Sequence, residues 1–443
     1  MLLKDFYKKL PKKFSNYEFS GISFDSRSLK KNDIFFAIKG NKLDGNNFIK
    51  QAIHNGSKII ISESCKQGIF NKVLFLKNKN PRKKLSEFAS KLFYKKPKKL
   101  IAVTGTNGKS SIAGFYYQIL KINNKKVSSI GTLGVNGVKF KSKNFNTTAD
   151  PIYLNGLLSY LAKKKIDYVI LEASSHGLKQ NRLDGLKFDI GIFTNLSRDH
   201  LDYHKTYKDY LNSKLILFKK LMKRKSDVIY DLDSGISKKL NLISLEKKLK
   251  QNVIGSKSKE FKIISHNYFN LKQKVKFTYK KNFYEFKTSL IGKIQIKNLI
   301  FSILAAHRSG LTLNKILNSI QKIKPIKGRI EKIGNLKNNG IVILDFAHTP
   351  EALKTCLLNI KEQFYLRKIS LVFGCGGDRD KPKRKMMGKI ANLYCDKIYL
   401  TDDNPRSERP SSIRKEIKKY ISNSKLCEVP SRSKAIKQAI KEI

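Results

Sequence analysis

The sequence predicts an α/β chain of three successive blocks, with a P-loop parallel-sheet ATPase unit in the centre and a Rossmann-like unit after it. Three observations predict this. First, the apolar run Leu100-Ile101-Ala102-Val103 leads into Thr104-Gly105-Thr106-Asn107-Gly108-Lys109-Ser110-Ser111, and a helical pattern, Ser111–Lys121, follows. A strand, a glycine turn and a helix N-terminus aim backbone N–H groups at one spot, and that spot attracts phosphate. Second, apolar strand runs alternate with helical stretches from about residue 98 to 326, the pattern of a parallel sheet covered on both faces. Third, the alternation restarts near Gly328 as a second doubly wound unit.

The elements follow in order. In block 1–97, strands at Asp33–Ile38, Lys58–Ser62 and Val73–Lys77 alternate with helical stretches, and Pro97 marks a linker in Lys95-Lys96-Pro97-Lys98. In block 98–326, the strand before the glycine loop is followed by strands Val127–Gly131, Tyr168–Glu172 and Asp189–Thr194, with helices Ile152–Lys164 and Tyr207–Leu221. A lysine-rich, strand-like stretch, Phe261–Leu290, interrupts the pattern before a helix at Leu299–Ser309. Block 327–443 reads strand Ile341–Phe346, helix Pro350–Phe364, strand Ile369–Phe373, helix Lys383–Leu393, strand Lys397–Leu400, helix Ser411–Tyr420, strand Leu426–Val429 and helix Ser433–Lys441.

Composition sets limits. A chain of 443 residues has room for about two to four domains with ample core. Five cysteines without a Cys-x-x-Cys pair fit a reduced, cytoplasmic setting and argue against a zinc ribbon. No apolar run reaches the ~18 residues of a membrane span, and Met1–Phe14 lacks the apolar core of a signal peptide. The net charge of +58, from 92 Lys+Arg against 34 Asp+Glu, is spread through every segment. Such diffuse charge supports solubility and draws in anionic substrates, without specific nucleic-acid recognition.

Several residues carry chemistry. Lys109 can reach the outer phosphates of a nucleoside triphosphate, and Ser110 can ligate Mg²⁺. The loop lacks the first glycine of G-x-x-x-x-G-K-[ST], because Val103 stands there. Glu172, at the end of Tyr168-Val-Ile-Leu-Glu172-Ala-Ser174-Ser175-His176, offers a carboxylate where ligands bind a parallel sheet and can share Mg²⁺ with Ser110. The alternative there is a helix cap at Ser174/Ser175. Residues Thr194–His204 concentrate two histidines and two aspartates beside the loop, a group that reads as metal-binding, against a purely structural role for each histidine.

Gly105-Thr-Asn-Gly-Lys-Ser110, Glu172-Ala-Ser-Ser-His176 and Asn195-Leu-Ser-Arg-Asp-His-Leu-Asp-Tyr-His204 together resemble the Mur ligase family, from Asp25-Ser26-Arg27 to Arg432. Further echoes are Asn146-Thr147-Thr148-Ala149-Asp150-Pro151, Asp345-Phe-Ala-His-Thr-Pro350, Gly374-Cys-Gly-Gly-Asp-Arg-Asp380 and Asp402-Asp403-Asn404-Pro405-Arg406. Family members use T-G-T-N-G-K-T, which accounts for the missing first glycine. The resemblance implies a three-domain, ADP-forming acid–amino-acid ligase of peptidoglycan precursor synthesis. It would add meso-diaminopimelate to UDP-MurNAc-L-Ala-D-Glu through an acyl phosphate, acting as a monomer on small molecules, with no membrane or specific nucleic-acid partner.

The resemblance also implies site roles. ATP would lie on Gly105, Thr106, Asn107, Gly108, Lys109, Ser110 and Ser111, with Asn298 at adenine, Arg329 at the γ-phosphate and Asp345 at ribose. Gln295 stands where the family usually has Asn, which weakens it as a site. Mg²⁺ would take Ser110, Glu172, His200 and Lys214, the last as a carbamate, since an ammonium would repel the cation. The UDP-sugar dipeptide would meet Phe24, Ser26, Asn41, Lys42, Leu43, Asn146, Thr147, Thr148, Ser174, Gln180 and Arg182. Arg379, Asp403, Asn404, Pro405 and Arg406 would receive diaminopimelate, whose second carboxylate suits a guanidinium fork. The alternative for Asp403-Asn-Pro is an ordinary turn. The family adds a strand and a Gly-Lys-Gly-His-Glu-type loop beyond the position of Ile443, so the C-terminal unit is expected to be incomplete. Two other functions fit parts of the pattern: a folylpolyglutamate synthase-like ligase on the same scaffold, and a nucleic-acid-stimulated ATPase.

Overall fold

The computed structural model describes residues 1–443 apart from 8–9, 41–42, 140–145, 270, 337, 379 and 443, and the side chain of Leu201. Internal contacts divide the chain into two units. One comprises 1–102, 126–191 and 213–226; the other comprises 103–125, 192–212 and 227–443.

In the first unit, a five-stranded sheet runs in the order Gly21–Ser23, Asp33–Ala37, Ile59–Ser62, Val73–Lys77, Gly68–Phe70. Its strands are parallel except the edge strand Gly68–Phe70. Ile34, Phe36, Ile59, Ile61, Leu74 and Leu76 point to one face, where Phe88 and Ala89 of helix Pro81–Leu92 cover them. Phe35, Ile60 and Val73 point to the other face, against Ala52 of helix Ile49–His54. This period-two split explains the continuous apolar runs, because both faces are buried. Two helices of this unit start alike: Asn80 and Asp150 accept hydrogen bonds from Lys83 N and Tyr153 N, with Pro81 and Pro151 in the first turn. Proline costs nothing there, since its missing N–H has no helical partner.

A seven-stranded sheet has the order Lys250–Ile254, Met222–Asp231, Phe188–Phe193, Lys99–Thr104, Tyr168–Glu172, Val127–Gly131, Gly134–Asn136. The expected strand before the glycine loop is central to it. Three of its strands, Met222–Asp231, Lys250–Ile254 and Gly134–Asn136, were not legible. Helix Tyr207–Ile216 ends in a π-turn, Leu217–Leu221, and passes directly into strand Met222–Asp231. The sequence reading continued the helix to Leu221 and placed no strand after it, because Lys223-Arg-Lys225 starts that strand with an exposed, charged edge.

In the second unit, helix Lys293–Arg308 packs along helix Lys109–Ile122, and Ser302 Oγ donates to Ile112 O at 3.0 Å. The helix starts six residues before the expected Leu299, so it includes Gln295 and Asn298. Phe261–Phe269, Lys272–Tyr279 and Asn282–Thr288 form an antiparallel sheet over the strand-like stretch. The C-terminal region is doubly wound as expected. Strands Ser370–Phe373, Lys397–Leu400 and Leu426–Glu428 are parallel. Leu357, Met387, Ile413 and Ile417 cover one face, and Ala435 and Ala439 cover the other. One expectation is corrected: Ile341–Leu344 pairs antiparallel with Glu331–Asn335 in a separate hairpin. Asn339 at φ +64° closes its turn, and the sequence reading had no partner strand for it.

Candidate functional site

The phosphate loop is built by its neighbours as much as by its glycines. Gly105 has φ +144°, and a Cβ there would lie 1.9 Å from Thr194 Oγ1. Gly108 has φ +86°, and its Cβ would lie 2.5 Å from Asn298 Oδ1. Both positions therefore need glycine on two counts. Asn195 brackets the loop. Its backbone O accepts from Thr106 N at 3.0 Å, its Oδ1 accepts from Asn107 N at 2.9 Å, and its Nδ2 donates to Asn107 O at 3.2 Å. Thr194 Oγ1 also donates to Asn107 O, at 2.6 Å. Thr106 Oγ1 accepts from Ser197 N at 3.0 Å and from Tyr210 OH at 3.1 Å. Burial pushes the Tyr210 phenol far up, so it stays a neutral donor. Lys109 Nζ folds over the loop onto Gly105 O at 3.0 Å and Thr106 O at 2.7 Å.

A chain of contacts returns from the loop to its own serine. Gly108 abuts Asn298, and Asn298 Nδ2 donates to Gln295 Oε1 at 3.2 Å. Gln295 Nε2 donates to Arg329 O at 2.6 Å, and Arg329 Nη2 donates to Ser110 Oγ at 3.3 Å. The reading from sequence discounted Gln295, yet here it links two expected nucleotide residues. Asp345 is engaged as a brace: its oxygens accept from Ile330 N at 2.7 Å and Ala347 N at 2.8 Å. Burial pushes its carboxyl above the usual range, against these hydrogen bonds. Beside Thr194 and Asn195 opens a cavity of about 660 Å³, lined also by Tyr207, Asp231, Ile236 and Lys297. Asp231 is 3% exposed and pairs with Lys297. Sequence reading missed this pair, because strand Met222–Asp231 was itself missed.

The histidine-rich segment does not gather as a metal cluster. Among the described residues no three His, Cys, Asp or Glu side chains meet as one. His204 is 0% exposed, lies 3.6 Å from Asp209 Oδ2 and packs on Tyr203 and Tyr210. It is a core residue. His200 is part-exposed, in the left-handed region at φ +53°, with Nε2 3.4 Å from Asp199 Oδ2.

In the first unit, the expected muramoyl-dipeptide residues do come together. Thr148 Oγ1 donates to Glu172 O at 2.8 Å, accepts from Ser174 N at 2.9 Å and lies 3.0 Å from Ser174 Oγ. Arg182 Nη1 donates to Thr148 O at 2.5 Å, and its Nη2 donates to Gln180 Oε1 at 2.7 Å. Ser174 also caps helix Ser175–Lys179 through Gly177 N, the alternative the sequence left open. The Glu172 carboxylate is 3% exposed, with Oε1 accepting from Thr132 N at 3.0 Å and Oε2 from Thr132 Oγ1 at 3.1 Å. A Cβ on Gly131 would meet Glu172 Oε1 at 2.1 Å. Gly131 and Thr132 were not singled out from sequence, although they directly follow strand Val127–Gly131. Thr147 Oγ1 lies 3.0 Å from Thr132 Oγ1, and Asn146 is exposed. Lys214, on helix Tyr207–Ile216, is 1% exposed. Of the expected uridine residues, Phe24 and Leu43 are exposed, and Ser26 Oγ donates to Gln51 Oε1 at 2.7 Å. Asn41 and Lys42 lie outside the described residues.

Ser110, in the second unit, and Glu172, in the first, each offer oxygen of the kind a hard cation takes.

At the C-terminal end of strands Ser370–Phe373 and Lys397–Leu400, two loops interlock. Gly377 N donates to Asn404 O at 2.9 Å, and Arg406 Nη1 donates to Gly377 O at 2.5 Å. A Cβ on Gly377 would lie 1.9 Å from Pro405 O. Arg406 is exposed, with φ +52°, and Asp403 pairs with Arg432 at 3.3 Å. Arg379 lies outside the described residues.

Comparison with known proteins shows the family. Residues 18–91 match the Mur ligase family catalytic domain, 103–306 the Mur ligase middle domain, and 328–443 the Mur ligase glutamate ligase domain. The chain is 39% identical over 439 residues to UDP-N-acetylmuramoyl-L-alanyl-D-glutamate–2,6-diaminopimelate ligase of Rickettsia conorii, covering 97% of this chain and 89% of that protein. It is also similar to the solved structure of a ligase of the same name, with TM-score 0.73, 28% identity, and 99% and 90% of the two chains covered. It shares its fold with the MurF ligase of Thermotoga maritima in complex with ADP, with TM-score 0.60, 18% identity, and 95% and 96% covered. No helix among the described residues is long and apolar enough to cross a membrane. The chain belongs to the Mur ligase family.

Proposed function

We propose that this protein is the ATP-dependent ligase that adds meso-diaminopimelate to the D-Glu carboxyl of UDP-MurNAc-L-Ala-D-Glu, in peptidoglycan precursor synthesis. The observation that carries the choice of amino acid is the exposed Arg406, held in the Asp403-Asn-Pro-Arg406 loop by Gly377 O. Its guanidinium suits the second carboxylate that distinguishes diaminopimelate from lysine. In this reading blocks 1–97, 98–326 and 327–443 serve the UDP-sugar, ATP and the incoming amino acid, and the three matched family segments support that division.

A substrate carboxylate oxygen attacks the γ-phosphorus of ATP, the bond to ADP breaks, and an acyl phosphate forms. The amine of diaminopimelate then attacks the acyl carbon. Phosphate leaves, the nitrogen loses a proton, and an amide remains. Two anions must approach in the first step, so catalysis here is charge control. Lys109 and Arg329 supply cationic charge to the phosphates. Ser110, Glu172, His200 and a carbamylated Lys214 would hold Mg²⁺, which would supply further positive charge to offset the two anions. A carbamate on the buried Lys214 would offer anionic oxygens to a cation. Asn298 holds adenine, Asp345 meets ribose with the lone pairs its backbone bonds leave, and Thr147, Thr148, Ser174, Gln180 and Arg182 hold the muramoyl dipeptide. Arg379 and Asp403 contribute to the amino-acid site. The enzyme works as a monomer in the cytoplasm, where ATP and the UDP-linked substrate are found.

Arg406→Ala tests the amino-acid assignment. kcat/KM with diaminopimelate is expected to fall by about a hundredfold or more, with ATP binding within about twofold. Equal losses in both would refute it.

A further inference from the structure

Arg406 and Asp378 both sit in the left-handed region, at φ +52° and +50°. Non-glycine residues stay there only where the surroundings over-determine them. A buried cation supplies that constraint. Arg384, on helix Pro382–Tyr394, is 1% exposed. Its Nη2 donates to Glu408 Oε1 at 2.7 Å and its Nη1 to Glu408 Oε2 at 3.0 Å, a two-point fork. Glu416 Oε2 accepts from the same Nη1 at 3.0 Å. Glu408 Oε1 also accepts from Asp378 N at 2.7 Å. Asp378 in turn accepts from Ser407 Oγ at 2.7 Å and Ser407 N at 3.1 Å. The carboxylate of Glu408 thus ties the loop containing Gly377 and Asp378 to the loop containing Arg406 and Ser407. Hydrogen bonding by Arg384 holds the Glu408 carboxyl down at about 2, so the tie is charged throughout the working range.

We propose that Glu408, anchored by Arg384, is a positioning residue for Arg406, and that this buried pair sets the preference for an amino acid with a second carboxylate. The inference rests on the reading of Arg406 given above. An exposed guanidinium loses rotamer freedom when it binds, and pre-setting the loops reduces that loss. The Glu408 oxygens are engaged by Arg384 and Asp378 N, so its effect acts through where Arg406 stands. A merely structural ion pair would affect the whole C-terminal unit alike.

The test is steady-state kinetics of the full-length protein with ATP, UDP-MurNAc-L-Ala-D-Glu and meso-diaminopimelate. Glu408→Gln is expected to raise the KM for diaminopimelate about tenfold and lower the diaminopimelate-over-lysine preference equally, with the KM for ATP within about twofold. Glu408→Asp keeps the charge and restores part of the preference. Ser407→Ala removes the hydroxyl bond to Asp378, leaving the backbone bond and the buried Arg384 in place, and is expected to raise the same KM about threefold. It decides the matter if Glu408→Gln fails to fold. The proposal is overturned if the variants raise all three KM values together, or lower only the thermal midpoint. Arg406→Ala runs in parallel. If it weakens diaminopimelate while Glu408→Gln and Ser407→Ala do not, the positioning role fails and the reading of Arg406 stands. If Arg406→Ala leaves the diaminopimelate KM unchanged, the reading itself fails and takes the proposal with it.

Discussion

The phosphate loop and the paired loops around Arg406 solve one problem by opposite means. Each holds a glycine-rich turn at the end of a parallel strand, and in each an added Cβ would collide at 1.9 Å, at Gly105 and at Gly377. The phosphate loop is braced by neutral groups: Thr194, Asn195, Ser197 and Tyr210. The Arg406 loops are braced by charges: Arg384, Glu408 and Asp378. The proposed ligands would account for the difference. A polyphosphate is repelled by nearby carboxylates, so its loop uses hydroxyls and amides and leaves Lys109 as the cation. A zwitterionic amino acid tolerates carboxylates that are each matched by a cation.

The largest expected effect that sharpens this contrast is Lys109→Ala. Removing the cation should lower kcat by about a hundred- to a thousandfold, while diaminopimelate protection of the C-terminal loops from hydrogen exchange persists. Loss of both would break the separation. Next, Gly105→Ala forces a side chain into φ +144° against Thr194, at a cost of about 1–3 kcal/mol. Calorimetric titration should show weakened ADP binding, and Gly377→Ala should spare ADP and weaken diaminopimelate. A smaller effect is expected from Tyr210→Phe, which deletes one neutral hydrogen bond to Thr106 worth about 1 kcal/mol. ADP affinity should fall by about fivefold.

Acid separates the two regions by sign. Arg384 holds the folded Glu408 carboxyl at about 2, below its ordinary value. Its contribution to stability is therefore present above the unfolded carboxyl range and is lost as pH falls towards about 2. Burial raises the Asp345 carboxyl instead, so its contribution runs the other way and improves as pH falls through its titration. Unfolding followed from pH 7 to 3 should show Glu408→Gln losing part of its deficit relative to wild type at the acid end. A constant deficit at every pH would contradict the ion-pair account.

The phosphate loop was legible because its information is local: an apolar run, spaced glycines and a helix start. The cluster of Thr148, Ser174, Gln180 and Arg182 was legible through its resemblance to known motifs, and the hydrogen bonds at Glu172 O and Thr148 O bring those residues together. The Arg384–Glu408 pair was not legible. Nothing distinguishes one buried arginine in a chain with 92 Lys+Arg until the fold removes it from water. Strand Met222–Asp231 was hidden by its charged start, and Asp231 and Lys297 with it. In the histidine-rich segment, proximity in sequence did not become one cluster in space: His204 turns into the core while His200 stays part-exposed.

The most direct measurement is ADP release by the purified full-length protein across a matrix of acceptors and amines, with the product identified by mass. The account predicts ADP and amide product in equal amounts with UDP-MurNAc-L-Ala-D-Glu and meso-diaminopimelate together, and a much lower rate when lysine replaces diaminopimelate. Equal rates with lysine, turnover with folate and glutamate, or ADP release driven by nucleic acid would contradict it.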